Sequence, residues 1–251
     1  MKLSKKQIEN AVEEVKQNSK TKEIPDYDFS LNKGNYALVV STGSTLLDLA
    51  ISGGRRKDGG IPSGILVELF GPSGAGKTAL LAEICGYVQR NEGEVKICDP
   101  EARLDQEYSQ IYGLDISENF NYMRPDTVSE MFDLLWNWKP KNTSIINAFG
   151  SDSVAALSTN MEMEEEDKMG TRRAKEFSAG LRKTCKIIAK NNFLVLFTNQ
   201  IRQDIKTGGY ITPGGIGLPF YASLRIKVSP DKISKIKKEV EIAGGKKISK
   251  I

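Results

Sequence analysis

The 251-residue sequence has no histidine. That absence excludes a histidine-based catalytic triad and any histidine-ligated metal centre. Cysteine is scarce: Cys85, Cys98 and Cys185 are far apart in sequence, and no two form a CxxC pair. Structural zinc and a disulfide framework are therefore not expected, and a reducing compartment fits best. No apolar run approaches the roughly 20 residues a membrane span requires, and no signal-peptide stretch opens the chain. The default expectation is a cytoplasmic protein with no membrane contact.

Charge of one sign is also sparse once it is localised. The chain carries a net +4. Between Lys227 and Ile251, however, eight lysines face only Asp231, Glu239 and Glu241. That excess of five exceeds the total, so the body is close to neutral. Whole-chain charge does not argue for nucleic acid, and any such site has to be argued locally.

What remains is ordinary for a globular protein, 39 % hydrophobic and 27 % charged. Residues 1–35 read as an N-terminal helix and linker. Ile8, Val12 and Val15 recur at helical spacing over residues 1–20, too few apolar positions to fold without docking on the body or on a neighbour. Residues 36–230 read as an α/β core. Apolar runs suited to buried parallel strands lie at 65–70, 95–98, 145–149, 193–197 and 224–228. Helical stretches at 77–90, 128–138 and 172–190 alternate with them, which predicts a mostly parallel sheet covered on both faces. The glycine-rich run 208–217 reads as a flexible loop. Residues 231–251 form a basic segment in which Lys-Ile-Ser-Lys-Ile appears at 232–236 and again at 247–251.

The strongest motif is Gly71-Pro72-Ser73-Gly74-Ala75-Gly76-Lys77-Thr78, which matches G-x-x-x-x-G-K-[ST]. It follows one predicted strand and opens a predicted helix, the context a phosphate-binding loop needs. Glycines let backbone N–H groups converge on phosphate oxygens at a helix N-terminus. Lys77 is placed to meet the β and γ phosphates of ATP, and Thr78 to ligate Mg²⁺. Such a site also needs carboxylates. Asp152 and Glu101 stand just past strands, suited to the magnesium shell and to activating water; a helix-capping role is open for either.

Other segments occur in a collinear order that resembles the RecA family of recombinases. They are Ser41-Thr-Gly-Ser-x-x-Leu-Asp48, Gly60-Ile-Pro-Ser-Gly64, Glu68, Asp99-Pro-Glu-Ala-Arg-Leu-Asp105, Asp152-Ser-Val-Ala-Ala-Leu157, Asn199-Gln-Ile-Arg202, Pro213-Gly-Gly215 and Phe220-Tyr-Ala-Ser223. The resemblance covers about residues 37–228. It implies a RecA-like P-loop fold in which Glu101 is the general base and Asp152 stands behind Mg²⁺. Asp105 and Tyr108 would lie beside the adenine, and Gln200 would link the γ-phosphate to a DNA loop. It also implies two DNA-binding loops, at about 158–171 and 202–216. Met169, Gly170, Arg172, Arg173 and Lys175 match the first; Arg202, Gly214 and Gly215 match the second.

The family implies an ATP-dependent recombinase that binds single- and double-stranded DNA, assembles with itself as a filament or ring, and carries out strand exchange. A RecA-fold accessory or mediator ATPase that regulates a recombinase is the alternative. Glu162, Glu164, Glu165, Glu166 and Asp167 make the first loop unusually acidic for the family, and the second is short. The family's C-terminal DNA-capturing domain is not expected beyond the core.

Overall fold

The computed structural model describes residues 38–53, 59–117, 121–159, 171–203, 210–211, 217–230, 237–242 and 245–250. The expected N-terminal helix and linker lie outside them. In chain order the described elements are β1 (Val39–Val40), α1 (Thr45–Ser52), β2 (Ile61–Pro62), β3 (Ile65–Gly71), α2 (Lys77–Arg90) and β4 (Val95–Cys98). There follow α3 (Gln106–Ile111), β5 (Tyr122–Met123), α4 (Val128–Trp136), β6 (Asn147–Ser151), α5 (Thr171–Asn191) and β7 (Phe193–Gln200). The last are β8 (Arg202–Gln203), β9 (Tyr210–Ile211), α6 (Gly217–Tyr221), β10 (Leu224–Lys227), β11 (Lys237–Ile242) and β12 (Gly245–Lys250).

Six strands form one parallel sheet in the order β10-β3-β7-β6-β4-β5. Successive side chains on a strand point to opposite faces, and the two core clusters divide accordingly. Val67, Leu69, Leu194 and Leu196 join Leu81, Ile84 and Val88 of α2 on one face. Leu66, Phe193, Val195 and Phe197 join Phe132 of α4 and Phe177 and Leu181 of α5 on the other. Continuous apolar strands are what a sheet covered on both faces requires. Gly180 lets α4 and α5 pack closely, since a Cβ there would fall 2.2 Å from the Phe132 ring.

Several boundaries differ from the sequence expectation. The strand before Asp152 is Asn147–Ser151 rather than 145–149. Polar Asn147 can be fully buried there because its amide donates to the Asn142 carbonyl at 2.7 Å and accepts from the Glu94 N–H at 2.9 Å. Helix α4 stops at Trp136, two residues short of the expected end. The run 208–217, expected as a loop throughout, contains β9, whose Tyr210 and Ile211 pair antiparallel with Gln203 and Arg202, and its last residue opens α6. The basic tail contributes the antiparallel pair β11–β12, which the sequence reading did not anticipate. Its pairing sets Glu241 opposite Lys246.

One charged side chain is fully buried inside β3. Glu68 accepts from the Arg225 guanidinium at 2.6 Å and from the Asn199 amide at 3.0 Å, so it ties β10, β3 and β7 together. Removing one partner of a buried pair leaves an uncompensated charge, typically at about 3–5 kcal/mol. Arg225 is 37 % exposed. Arg225→Ala should therefore cost less, up to about 3 kcal/mol in urea unfolding at neutral pH; a loss below about 0.5 kcal/mol would mean that Asn199 alone satisfies Glu68.

Candidate nucleotide and magnesium site

In the parallel sheet the C-terminal ends of β3, β4, β6 and β7 meet at one edge, where open α/β sheets bind their ligands. β3 runs straight into the phosphate loop and α2. Gly71 is held against β10: a Cβ at that position would lie 1.9 Å from the Val228 carbonyl oxygen. Gly76 sits at φ 96°, a left-handed conformation that favours glycine. Ser44, Asp105 and Thr127 cap α1, α3 and α4 with side-chain oxygens. Helix α2 starts on Gly76 with no side-chain cap. Its first N–H groups therefore point at the loop with no side-chain acceptor, the arrangement that suits a phosphate.

Around that helix start, a cleft of about 130 Å³ is lined by Ser73, Gly74, Lys77 and Thr78 together with Asp99, Glu101, Arg103, Asp152, Ser153 and Gln200. The Lys77 ammonium donates to the carbonyls of Gly71 at 3.2 Å and Pro72 at 2.7 Å. Burial holds it below the usual lysine range, while Asp152 and Glu101 pull it back up. Thr78 Oγ1 donates to Asp152 Oδ2 at 2.5 Å, and the Thr198 hydroxyl donates to Asp152 Oδ1. Glu101 Oε1 accepts from Gln200 Nε2 at 3.1 Å, and its Oε2 pairs with Arg103 at 3.1 Å.

The donor set fits Mg²⁺. Thr78 and Asp152 supply a hydroxyl and a carboxylate side by side, and among the described residues no group of three or more acidic or cysteine side chains gathers as a self-sufficient metal cage. Mg²⁺ binds through one or two such ligands completed by substrate phosphates and water.

The predicted residues are distributed unevenly. Lys77, Thr78, Glu101, Asp152 and Gln200 all line the one cleft, though Glu101 and Gln200 are 99 positions apart. Asp105 and Tyr108 lie outside its lining. Asp105 caps α3 by accepting from the Tyr108 N–H at 2.9 Å. The half-exposed Tyr108 packs edge-on to Tyr112 with ring centroids 5.2 Å apart. Hydrogen bonding to Tyr112 pushes the Tyr108 phenol up to about 12.

Two participants escaped the sequence reading. Thr198 stands one residue before Asn199-Gln-Ile-Arg202, and its place at the end of β7 was the available signal. Arg103 stands two residues past Glu101, and nothing in its spacing marked it. Asp99 is nearly fully buried and accepts from the Leu104 N–H and the Tyr122 hydroxyl, each at 2.7 Å, which shapes the segment that carries Glu101.

The candidate DNA residues are partly visible. Met169, Gly170, Gly214 and Gly215 lie outside the described residues, as do the side chains of Arg172 and Arg202. Arg173 is half-buried and Lys175 exposed, both in the opening turns of α5 rather than on a loop. Ser158, expected at the start of the first loop, is tied by its backbone to the segment leading into α4: its N–H donates to the Asp126 carbonyl and its carbonyl accepts from Val128.

A family model described as the RecA N-terminal domain matches residues 6–251. The chain belongs to the RecA family. RecA relatives agree over most of its length. The protein named Protein RecA of Helicobacter hepaticus is 34 % identical over 218 residues, covering 84 % of this chain and 60 % of its own. That of Nitratiruptor is 37 % identical over 196 residues, covering 75 % and 54 %. That of Helicobacter pylori is 33 % identical over 259 residues, covering 96 % and 71 %. The chain thus spans between about half and about 70 % of the length of these RecA relatives. Among the described residues, no helix is long and apolar enough to cross a membrane.

Proposed function

We propose that the protein is a DNA-dependent ATPase of the recombinase class, which binds ATP with Mg²⁺ at the cleft and assembles with itself on single-stranded DNA for pairing with a duplex. The observation that carries this reading is the convergence of Lys77, Thr78, Asp152, Glu101 and Gln200 on one cleft at an uncapped helix start. The family membership supports it. Lys77 neutralises the β and γ phosphates, with the loop N–H groups of residues 73–78 around them. Thr78 and Asp152 would hold the Mg²⁺ shell, with Thr198 fixing the second Asp152 oxygen. A bound magnesium ion would supply positive charge against the phosphates there.

Glu101 accepts the proton of the attacking water. Arg103 and Gln200 hold its two oxygens, which fixes the direction in which it accepts. Gln200 lies two residues before Arg202, so a shift of its amide between Glu101 and the γ-phosphate carries nucleotide state into the segment beyond β7. Asp105 and Tyr108 border the adenine. Residues 1–35 supply the self-assembly contact and 36–230 the ATPase core.

Turnover measured with and without single-stranded DNA tests the reading, alongside negative-stain imaging with a slowly hydrolysed ATP analogue. Stimulated hydrolysis and filaments or rings are expected. Hydrolysis indifferent to DNA and unassembled particles would instead favour an accessory ATPase.

DNA contacts fall to Arg172, Arg173, Lys175 and Arg202, with the backbone at Met169, Gly170, Gly214 and Gly215. Replacing Arg172, Arg173 and Arg202 with alanine should weaken binding to unrelated single strands alike. The log–log salt slope should flatten by about 2, since each lost phosphate contact removes about 0.7. Nucleotide binding should persist. If deleting residues 232–251 removes the slope and the triple alanine leaves it intact, DNA binds the basic tail instead.

A further inference from the structure

The sheet's opposite edge carries a groove with no part in nucleotide chemistry. It has a volume of about 460 Å³, and its walls include Trp136, Trp138 and Ile187, with Lys139, Lys186 and Lys190 at its rim. Phe193, the first residue of β7, also lines it. The eight residues of β7 put about 25 Å of strand between this groove and the phosphate cleft. No carboxylate lines the groove among the described residues, and the three rim lysines are exposed without an ion-pair partner there. Lys183, one turn from Lys186 on α5, lies 3.4 Å from the centre of the Trp136 ring.

An aromatic, apolar centre inside a polar rim is the anatomy of a protein interface, and tryptophan is among the residues enriched as its anchors. The indoles also say which polymer fits. Trp136 is stacked on Phe132 on one side and covered by the Lys183 ammonium, and Trp138 leans on Phe193 with centroids 5.0 Å apart. Successive free ring faces, which a single-stranded polynucleotide uses as stacking platforms, are not offered. What is offered is apolar wall and indole edge beneath three ammonium groups. The geometry points to a docking groove for an acidic peptide segment of a partner protein: a large apolar side chain enters between Trp136, Trp138 and Ile187, and flanking carboxylates meet Lys139, Lys186 and Lys190. This inference is independent of the ATPase reading.

The chain's two tryptophans both lie in the groove, so intrinsic fluorescence reports it directly. The probe is a synthetic peptide of Asp and Glu residues around one central Phe, titrated into the full chain. A saturable change in emission is expected, weakening as salt rises. In the Lys186→Glu/Lys190→Glu variant its dissociation constant should rise about tenfold, the combined effect of two partly exposed charge contacts. ATP binding by the variant, expected unchanged, shows that it is folded. Should it not fold, a peptide with Asn and Gln in place of the acids is used on the unaltered chain and is expected to bind about tenfold more weakly. The proposal is overturned by an unchanged emission, by equal affinity for the neutral peptide or for an acidic peptide lacking Phe, or by a response to oligothymidylate and none to the peptide.

Discussion

Lys77→Ala is expected to bring ATP hydrolysis below detection, a fall of at least about 10³-fold. Removing a single preorganised donor from a charge-stabilising site already costs about 10²–10³ in turnover. Lys77 supplies a full charge from a buried position, with its ammonium held 2.7–3.2 Å from the carbonyls of Pro72 and Gly71 at the start of the loop. The sheet should be unaffected, because Lys77 enters neither apolar cluster. Steady-state phosphate release checks the rate, and circular dichroism checks the fold. Turnover equal to the unaltered chain would remove the phosphate site from this loop altogether.

Glu101→Gln should lower turnover by about 10²–10⁴-fold, the usual contribution of a general base, while nucleotide and DNA still bind. The amide is nearly isosteric and keeps an oxygen for Gln200 or Arg103, so the cleft's shape should persist. It cannot take a proton from water at neutral pH. The comparison that sharpens this test is Asp105→Asn. Asp105 caps α3 through the Tyr108 N–H, and asparagine caps almost as well. Its turnover should change little, and a greater loss there than in Glu101→Gln would mean the base had been assigned to the wrong acid.

The phosphate loop was legible because its chemistry is local. Gly71 to Thr78 are consecutive, and the strand and helix around them follow from periodicities of a few residues. Helix 77–90 was predicted with both ends as observed, since its start is dictated by the loop and its length by one face of apolar residues. Asp152 and Glu101 were legible only as acids after strands, a position that a helix cap also explains. Pattern could not choose between those uses. Their selection depended on the ordered set of motifs around them.

The strand at 147–151 was misplaced for a related reason. Its polar Asn147 and small Gly150 carry no apolar signal, and they are buried because Asn142, Glu94, Ile97 and Leu81 receive them. Those partners are up to 69 positions away.

The sequence alone therefore established the P-loop, the alternating α/β core and the family resemblance, all carried by short-range spacing or by order along the chain. Folding settled which side chains share the cleft. Parallel pairing of β3, β7, β6 and β4 brings Thr78, Glu101, Asp152, Thr198 and Gln200 to one sheet edge. The same pairing leaves the two tryptophans and three lysines at the other edge. Neither grouping as a whole follows from a period or a spacing. Each exists because strand order in a sheet is not chain order, and a hydrogen-bonded register transmits position across it far more rigidly than the intervening helices and loops do along it.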